Sequence, residues 1–397
     1  MNRKRKETND MKQTGLYVHI PFCVQKCLYC DFPSFAGQLN KREQYVEALQ
    51  KELIQKAEQC KDYAIKTIFF GGGTPTVLSA EQLQCLMDTI KQNYCIIEDA
   101  EISIEANPGT LDFHMCQALY NMGFNRISMG LQAWQNHLLQ ILGRIHTNAQ
   151  FLDNFQNARK AGFKNINVDL MFALPNQTIS DWLETLEQVT TLQPEHISAY
   201  SLIIEEGTPF YDLYEKGVYQ EIDEQTDREM YHKTVAFLKE KGYHQYEISN
   251  FSKNGKQSRH NSLYWLDGVY MGVGLGAHSY WAQKRFHNPY DLDCYIQKAN
   301  ANMDLAEDVE RIPIYEQYSE FMFLGLRMTD GVSKKRFLER FGKEMVDIYG
   351  EELEKLKKEG LLEEWNGFVK LTERGIDVSN YVFVAFLKDV EEIIKNI

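Results

Sequence analysis

The chain has 397 residues, 44% of them hydrophobic, enough for one large domain and a smaller one. Its formal charge of −13 argues against a nucleic-acid partner, because a non-specific binder must neutralise phosphates with a basic surface. No apolar run approaches the ~20 residues a membrane helix requires, so the chain is not expected to be integral to a membrane.

The opening MNRKRKETND is basic and no hydrophobic region follows it. It reads as a flexible tail over 1–14, not as a signal peptide, and Met11 is a second candidate start. With reduced thiols and no export signal, the expected compartment is the cytoplasm.

An apolar run, LYVHI, predicts the first strand and leads into HIPFCVQKCLYCDF, where Cys23, Cys27 and Cys30 are spaced C-x3-C-x2-C. The other five cysteines (Cys60, Cys85, Cys95, Cys116, Cys294) follow no spacing rule, which speaks against a disulfide framework. An iron–sulfur cube takes a ligand on each of four irons, so three thiolates imply a cube with one iron open to an exchangeable ligand. A zinc site with His19 as the fourth ligand is the rival. His19 lies inside the predicted strand, however, and zinc gives no reason for the glycine-rich element further on.

From Gly15 to about Val189 the strands LYVHI, KTIFF, AEISIEAN, NRISMGLQ and NINVDLMF, followed by HISAYSLII, alternate with amphipathic helical stretches such as KREQYVEALQKELIQKAEQ and SAEQLQCLMDTIKQN. Ser79 and Ser180 are expected N-caps, with Ser79 and Gln82 spaced for a capping box. Six βα units predict an α/β fold, an open, partial (β/α) barrel with its chemistry at the C-terminal strand ends. Chemistry-bearing residues recur at those ends. GGGTPT at 71–76 lets a ligand approach the backbone closely but has no lysine after it, as a phosphate loop would. Glu105 suits the paired hydroxyls of a ribose. Gln132 follows ISMGL and Asp169 lies in INVDLMF. Arg144 can pair with a ligand carboxylate, although an ordinary salt bridge is the default for Arg144 and Asp169.

Near Tyr243 the texture changes to aromatic- and glycine-rich irregular sequence, expected to close one barrel edge. Within it, HNSLYW places His260, Tyr264 and Trp265 together. Taken by itself, an aromatic-flanked histidine reads as a hydrogen-bonded core residue. GVGLGAHS lacks the full dinucleotide spacing and reads as tight backbone packing, with His278 structural. The barrel with its closing region is expected over 15–298. From 299 to 397, three helical patterns lead into LLEEWNGFVKLT, where Asn366-Gly367 is a two-residue hairpin turn, so a winged-helix-like domain is expected. Its acidic balance favours a structural or lid role over DNA binding.

Together, YVHIPFCVQKCLYCDF, GGGTPT, SIEANPGT, RISMGLQ, LGRIH and NVDLMFALPNQT resemble the radical S-adenosylmethionine (SAM) superfamily, and within it the coproporphyrinogen dehydrogenase (HemN-type) branch. The resemblance runs from Gly15 to the end of the chain. It implies that Cys23, Cys27 and Cys30 hold a [4Fe–4S] cluster whose open iron is chelated by the amino and carboxylate groups of SAM. An electron from the cluster, which an external donor must supply, would cleave SAM to a 5′-deoxyadenosyl radical. Tyr17, Tyr29, Phe32, Gly72, Gly73, Thr74, Glu105, Gln132, Arg144 and Asp169 would border the nucleotide pocket.

Two departures from the dehydrogenases narrow the resemblance. Those enzymes carry a further cysteine two residues after the third ligand, where this chain has Phe32, and a longer amino-terminal segment. Both differences are similar to the HemW-type heme chaperones, and HNSLYW is similar to the HNxxYW motif associated with heme binding in them. The resemblance therefore implies a carrier that binds heme through His260, Tyr264 and Trp265 and delivers it to an acceptor, such as a respiratory membrane protein. It assigns no catalytic residue. Oxygen-independent oxidation of coproporphyrinogen III is the alternative.

Overall fold

In the computed structural model, residues 11–387 are described. The basic segment 1–10 lies outside them, while residues 12–14, read as tail, already belong to the first strand, β1 (Lys12–Ile20). Thr14 has no exposed surface, and its hydroxyl donates to the Val269 carbonyl at 2.8 Å, which ties the start of β1 to the rest of the sheet.

Five further strands follow in parallel: β2 (Tyr63–Gly72), β3 (Cys95–Ala106), β4 (Arg126–Gln132), β5 (Ile166–Phe172) and β6 (His196–Ser201). They neighbour one another in chain order, and the intervening α1 (Arg42–Gln59), α2 (Ala80–Asn93), α3 (Phe113–Met122), α4 (Asn148–Ala161) and α5 (Ile179–Thr191) supply their outer cover. The sequence alternation sorts the two faces. Ile68, Phe70, Ile102, Ile104, Ile127, Met129, Val168 and Leu170 are buried in the core shared with the helices. The alternate positions are Thr67, Glu101, Ser103, Glu105, Arg126, Ser128, Asn167, Asp169, His196 and Ser198. A closed eight-stranded barrel fills this inner row with branched apolar side chains. Here the row is polar apart from Phe69, opposite Ser103, so the concave face is suited to a polar ligand.

Helix starts follow local chemistry. Ser79 caps α2 in a capping box with Gln82, as its spacing predicts. The cap of α5 is Thr178 rather than Ser180, which lies inside the helix: Asp181, three residues after Thr178, reaches back to complete that box.

The aromatic, glycine-rich region extends both edges of the sheet, not one. Strand β8 (Asn250–Ser252) pairs antiparallel with β6, and β7 (His244–Glu247) pairs antiparallel with β8 at the sheet edge. On the other side β9 (Tyr270–Val273) runs parallel to β1, and β10 (His278–Trp281), β11 (Lys284–His287) and β12 (Glu307–Arg311) follow antiparallel. A Cβ on Gly272 would stand 2.1 Å from the His278 carbonyl oxygen, which confirms tight packing in GVGLGAHS. Between these edges, Ser258 caps the short α6 (Arg259–Trp265), and Glu101 accepts hydrogen bonds from the amides of Arg259 and His260.

Because β12 pairs with β11, the stretch after 299 does not pass directly into the small domain. Its charged EDVER sequence is that of an exposed edge strand and resembles a linker. A second core, including Phe321, Phe337, Tyr349, Leu356 and Val369, lies beyond it. Three helices (Ile314–Gly325, Lys334–Phe341, Met345–Lys358) and a hairpin (Leu362–Trp365 with Phe368–Leu371) build a winged-helix-like unit. Asn366 and Gly367 take positive φ of 48° and 80°, as a two-residue turn of that type demands.

Candidate cofactor and ligand site

The cysteine loop leaves β1 at Ile20 and lies against the glycine-rich turn after β2. The Gly73 amide donates to the Ile20 carbonyl and that of Thr74 to Phe22, both at 2.8 Å. A Cβ on Gly73 would stand 2.7 Å from the Phe22 carbonyl oxygen and 3.0 Å from Cys23 Sγ, so only glycine permits this approach. Gly72 has φ of 110°, and a Cβ there would enter the His19 ring at 2.5 Å.

Each sulfur has its own surroundings. Cys23 Sγ accepts from the Thr74 hydroxyl at 3.6 Å, and Cys27 Sγ from Arg144 Nη1 at 3.3 Å. Burial pushes the Cys30 thiol up. Thiolates on separate irons of a cube stand further apart than ligands of one ion, and among the described residues no three His, Cys, Asp or Glu side chains converge on a single-ion site. His19, the fourth ligand of the zinc alternative, has both ring nitrogens bonded elsewhere: Nδ1 to the Tyr17 hydroxyl at 3.0 Å and Nε2 to the Pro33 carbonyl at 2.9 Å.

Of the residues expected around a nucleotide, Thr74 and Arg144 line a cleft with Cys27, while Tyr17, Tyr29 and Phe32 line the aromatic cavity beside Cys30. Arg144 Nη2 donates to Asn107 Oδ1 at 2.8 Å and to the Gly130 carbonyl, while its buried Nε has no partner among the described residues. Asn107 in turn donates to the Thr74 hydroxyl at 2.7 Å. A buried guanidinium with an unused donor next to a thiolate loop fits an anionic ligand group there. Tyr29 is held near Arg144 and Cys27, and burial raises its phenol. Gln132 takes a positive φ of 71°, which is uncommon outside glycine, at the C-terminal end of β4. Glu105 Oε2 accepts from the Gly72 amide at 3.1 Å. Asp169 is tied down by Ser128 at 2.9 Å and Asn167 at 2.8 Å. Burial raises its carboxyl.

Arg126 was not anticipated as a site residue. It is 1% exposed, and its Nε has no partner among the described residues. It holds Glu105 and Asp169 lower than burial would otherwise leave them. The signal was an arginine opening a strand whose every residue is buried.

The three residues of the HNxxYW motif do not share one surface. His260 is 1% exposed, with Nδ1 against the Thr67 hydroxyl at 2.8 Å and Nε2 against the Tyr264 hydroxyl at 2.9 Å. Burial, then the nearby Arg126, lowers its imidazole to about 3. Trp265 lies under the Arg327 guanidinium, 4.4 Å from ring centre to carbon. Tyr264 alone of the three lines the cavity of about 550 Å³ that opens beside Cys30, with Tyr17, Tyr29, Phe32, Tyr270 and Tyr290. Phe32 stands at this cavity with 65% of its surface exposed.

The sequence matches the Radical SAM superfamily over residues 17–189 and the HemN C-terminal domain over 315–378. A heme chaperone HemW of Bacillus subtilis is 40% identical over 375 residues, covering 94% of this chain and 99% of that one. Another from Lactococcus lactis is 35% identical over 378 residues, covering 95% and 98%. Among solved structures, coproporphyrinogen III oxidase (HemN) from Escherichia coli superposes with a TM-score of 0.83 at 24% identity, covering 95% of this chain and 90% of that one; this likeness concerns the fold.

Proposed function

The chain belongs to the radical SAM superfamily and, within it, to the HemW heme chaperones, and from that premise we propose that it takes up one heme beside its cluster site and hands it to an acceptor protein. Cys23, Cys27 and Cys30 would hold the [4Fe–4S] cluster, with Arg144 Nη1 donating to the Cys27 sulfur and Thr74 to that of Cys23. Bound there, the cluster and SAM supply one-electron chemistry, for which an electron donor is a further partner. Glu105 would receive the ribose hydroxyls. Arg144, through its unused Nε, and the neighbouring Gln132 would meet the polar end of SAM. Asp169, locked by Ser128 and Asn167, would keep the floor of the pocket rigid and polar.

The observation that carries the reading, besides the near full-length identity to HemW proteins, is the wall of this cavity. Six aromatic side chains line it, and where a coproporphyrinogen dehydrogenase has a cysteine the exposed ring of Phe32 stands. Flat apolar faces suit a macrocycle that must bind and leave unchanged. In the HNxxYW motif, Tyr264 makes the heme contact and His260 orients it through the 2.9 Å bond between them, while Trp265 anchors the short helix under Arg327.

The acceptor is expected at the respiratory membrane and the protein in the cytoplasm; among the described residues no helix is long and apolar enough to cross a membrane. The test is anaerobic incubation of reconstituted protein with coproporphyrinogen III, SAM and a reductant. No protoporphyrinogen above background is expected. Multiple turnover to protoporphyrinogen would replace the carrier with the oxidase.

A further inference from the structure

The geometry points to His278, on the wall of the cavity beside the cluster loop, as the residue that ligates heme iron. This inference rests on the heme-carrying reading above and names the atom at which that cargo is held. A heme ligand needs an imidazole with a free lone pair facing a space large enough for the macrocycle. His260 offers neither in this structure, since both its nitrogens are bonded and its surface is closed.

His278 offers both. It opens β10, is exposed, and lines the same cavity as Cys30, Phe32 and Tyr264. Its Nε2 lies 2.8 Å from the Tyr290 hydroxyl, and no partner for Nδ1 occurs among the described residues. With Nε2 as the protonated nitrogen donating to Tyr290, the lone pair is on Nδ1, the arrangement that metal-ligating histidines adopt when a second group fixes the tautomer. Partial desolvation by its neighbours, then His287 and Arg285, all favour the neutral imidazole that a metal requires.

The neighbourhood is built to hold the ring still. His287 is tilted against His278 at 5.3 Å between centroids, and it is fixed by Asp308 at 3.0 Å and by the Asn288 carbonyl at 2.9 Å. The turn before His278 touches the cluster loop: a Cβ on Gly276 would stand 2.9 Å from the Tyr290 ring and 3.3 Å from Pro33. Phe32 and Tyr290, 65% and 46% exposed, thus border one opening and present apolar faces to a flat ligand. Asp31 and Glu205, acidic residues of the cavity lining, would repel the heme propionates and turn them away from that side. Lys26, whose ammonium donates to the Phe32 carbonyl at 3.0 Å, is a cation available to meet one of them.

The test is a hemin titration of full-length, cluster-reconstituted protein, comparing the parent with His278→Ala, His278→Gly and Tyr290→Phe. His278→Ala is expected to shift the Soret maximum and weaken hemin binding by about tenfold or more, while the brown cluster absorbance is retained as the control for folding. Added imidazole should return the parental Soret band in His278→Gly. Tyr290→Phe should keep that band and bind more weakly. A parental Soret maximum in His278→Ala overturns the assignment, whatever its affinity. If the parent itself binds no hemin, the carrier reading fails and this inference falls with it.

Discussion

Cys27→Ser is expected to abolish the brown chromophore of the reconstituted protein and the SAM-dependent perturbation of its spectrum. A hydroxyl is far less acidic than a thiol and a poor ligand for iron, and with three cysteines no spare ligand lies nearby to replace it. The substitution would also take from Arg144 Nη1 the sulfur it now approaches at 3.3 Å, on a guanidinium whose buried Nε already has no partner among the described residues. Fold stability should change little, because the loop is held by backbone bonds from Gly73 and Thr74 to Ile20 and Phe22. Absorbance, iron and sulfide content, and thermal unfolding separate these effects. A normal cluster in Cys27→Ser would reject the ligand set.

Glu105→Gln is expected to change both the pH profile of stability and SAM binding. The Glu105 carboxyl is pushed up to about 8, first by burial and then by Asp169, against the opposing pull of the Gly72 amide and Arg126. A carboxyl whose pKa is higher in the folded than in the unfolded state binds its proton more tightly when folded. Its contribution to stability is therefore greatest below the ordinary carboxylate range, and it is lost as pH rises from about 4.5 to about 8. Removing the group flattens that slope. The variant should gain on the parent by up to roughly 4 kcal/mol between pH 5 and 8, at about 1.4 kcal/mol per pKa unit. Above about pH 8, where Glu105 is ionised, SAM should bind about ten- to a hundredfold more weakly to the variant, because an amide oxygen replaces a carboxylate as acceptor for the ribose. Denaturant titrations across that pH range, with calorimetry for SAM, read both. Parallel stability profiles for parent and variant would contradict the buried-carboxyl argument.

Much of this architecture was legible in the sequence, because hydrophobic period and cap chemistry act locally. The βα alternation fixes the parallel strands, Ser79 and Gln82 mark a helix start, and Asn366-Gly367 marks the hairpin. The misreadings lie where a local signal has two readings. Thr178 and Ser180 are both cap formers, and only the reach of Asp181 back to Thr178 decides between them. The charged strand Glu307–Arg311 looks like a linker until its pairing with β11 is known.

The site divides along the same line. Cys23, Cys27 and Cys30, the glycines at 71–73, and Glu105 were readable because close spacing or a strand-end position already restricts their chemistry. Arg126, Asn167 and His196 were not, since they meet only when the register of β3 to β6 turns alternate residues to one face. His260 and His278 show the limit most plainly. Both are aromatic-flanked histidines in one irregular region, yet one is enclosed between Thr67 and Tyr264 and the other faces an open cavity. Tertiary packing alone makes that distinction.

The measurement that bears most directly on the whole account is heme transfer. Reconstituted protein is loaded with one equivalent of hemin, mixed with an apo heme protein of the respiratory membrane, and the Soret spectra of the two are followed after separation. The account predicts one heme per chain, transferred stoichiometrically to the acceptor with the cluster intact in the donor. Hemin that stays with the donor under every condition of reductant and SAM would contradict it.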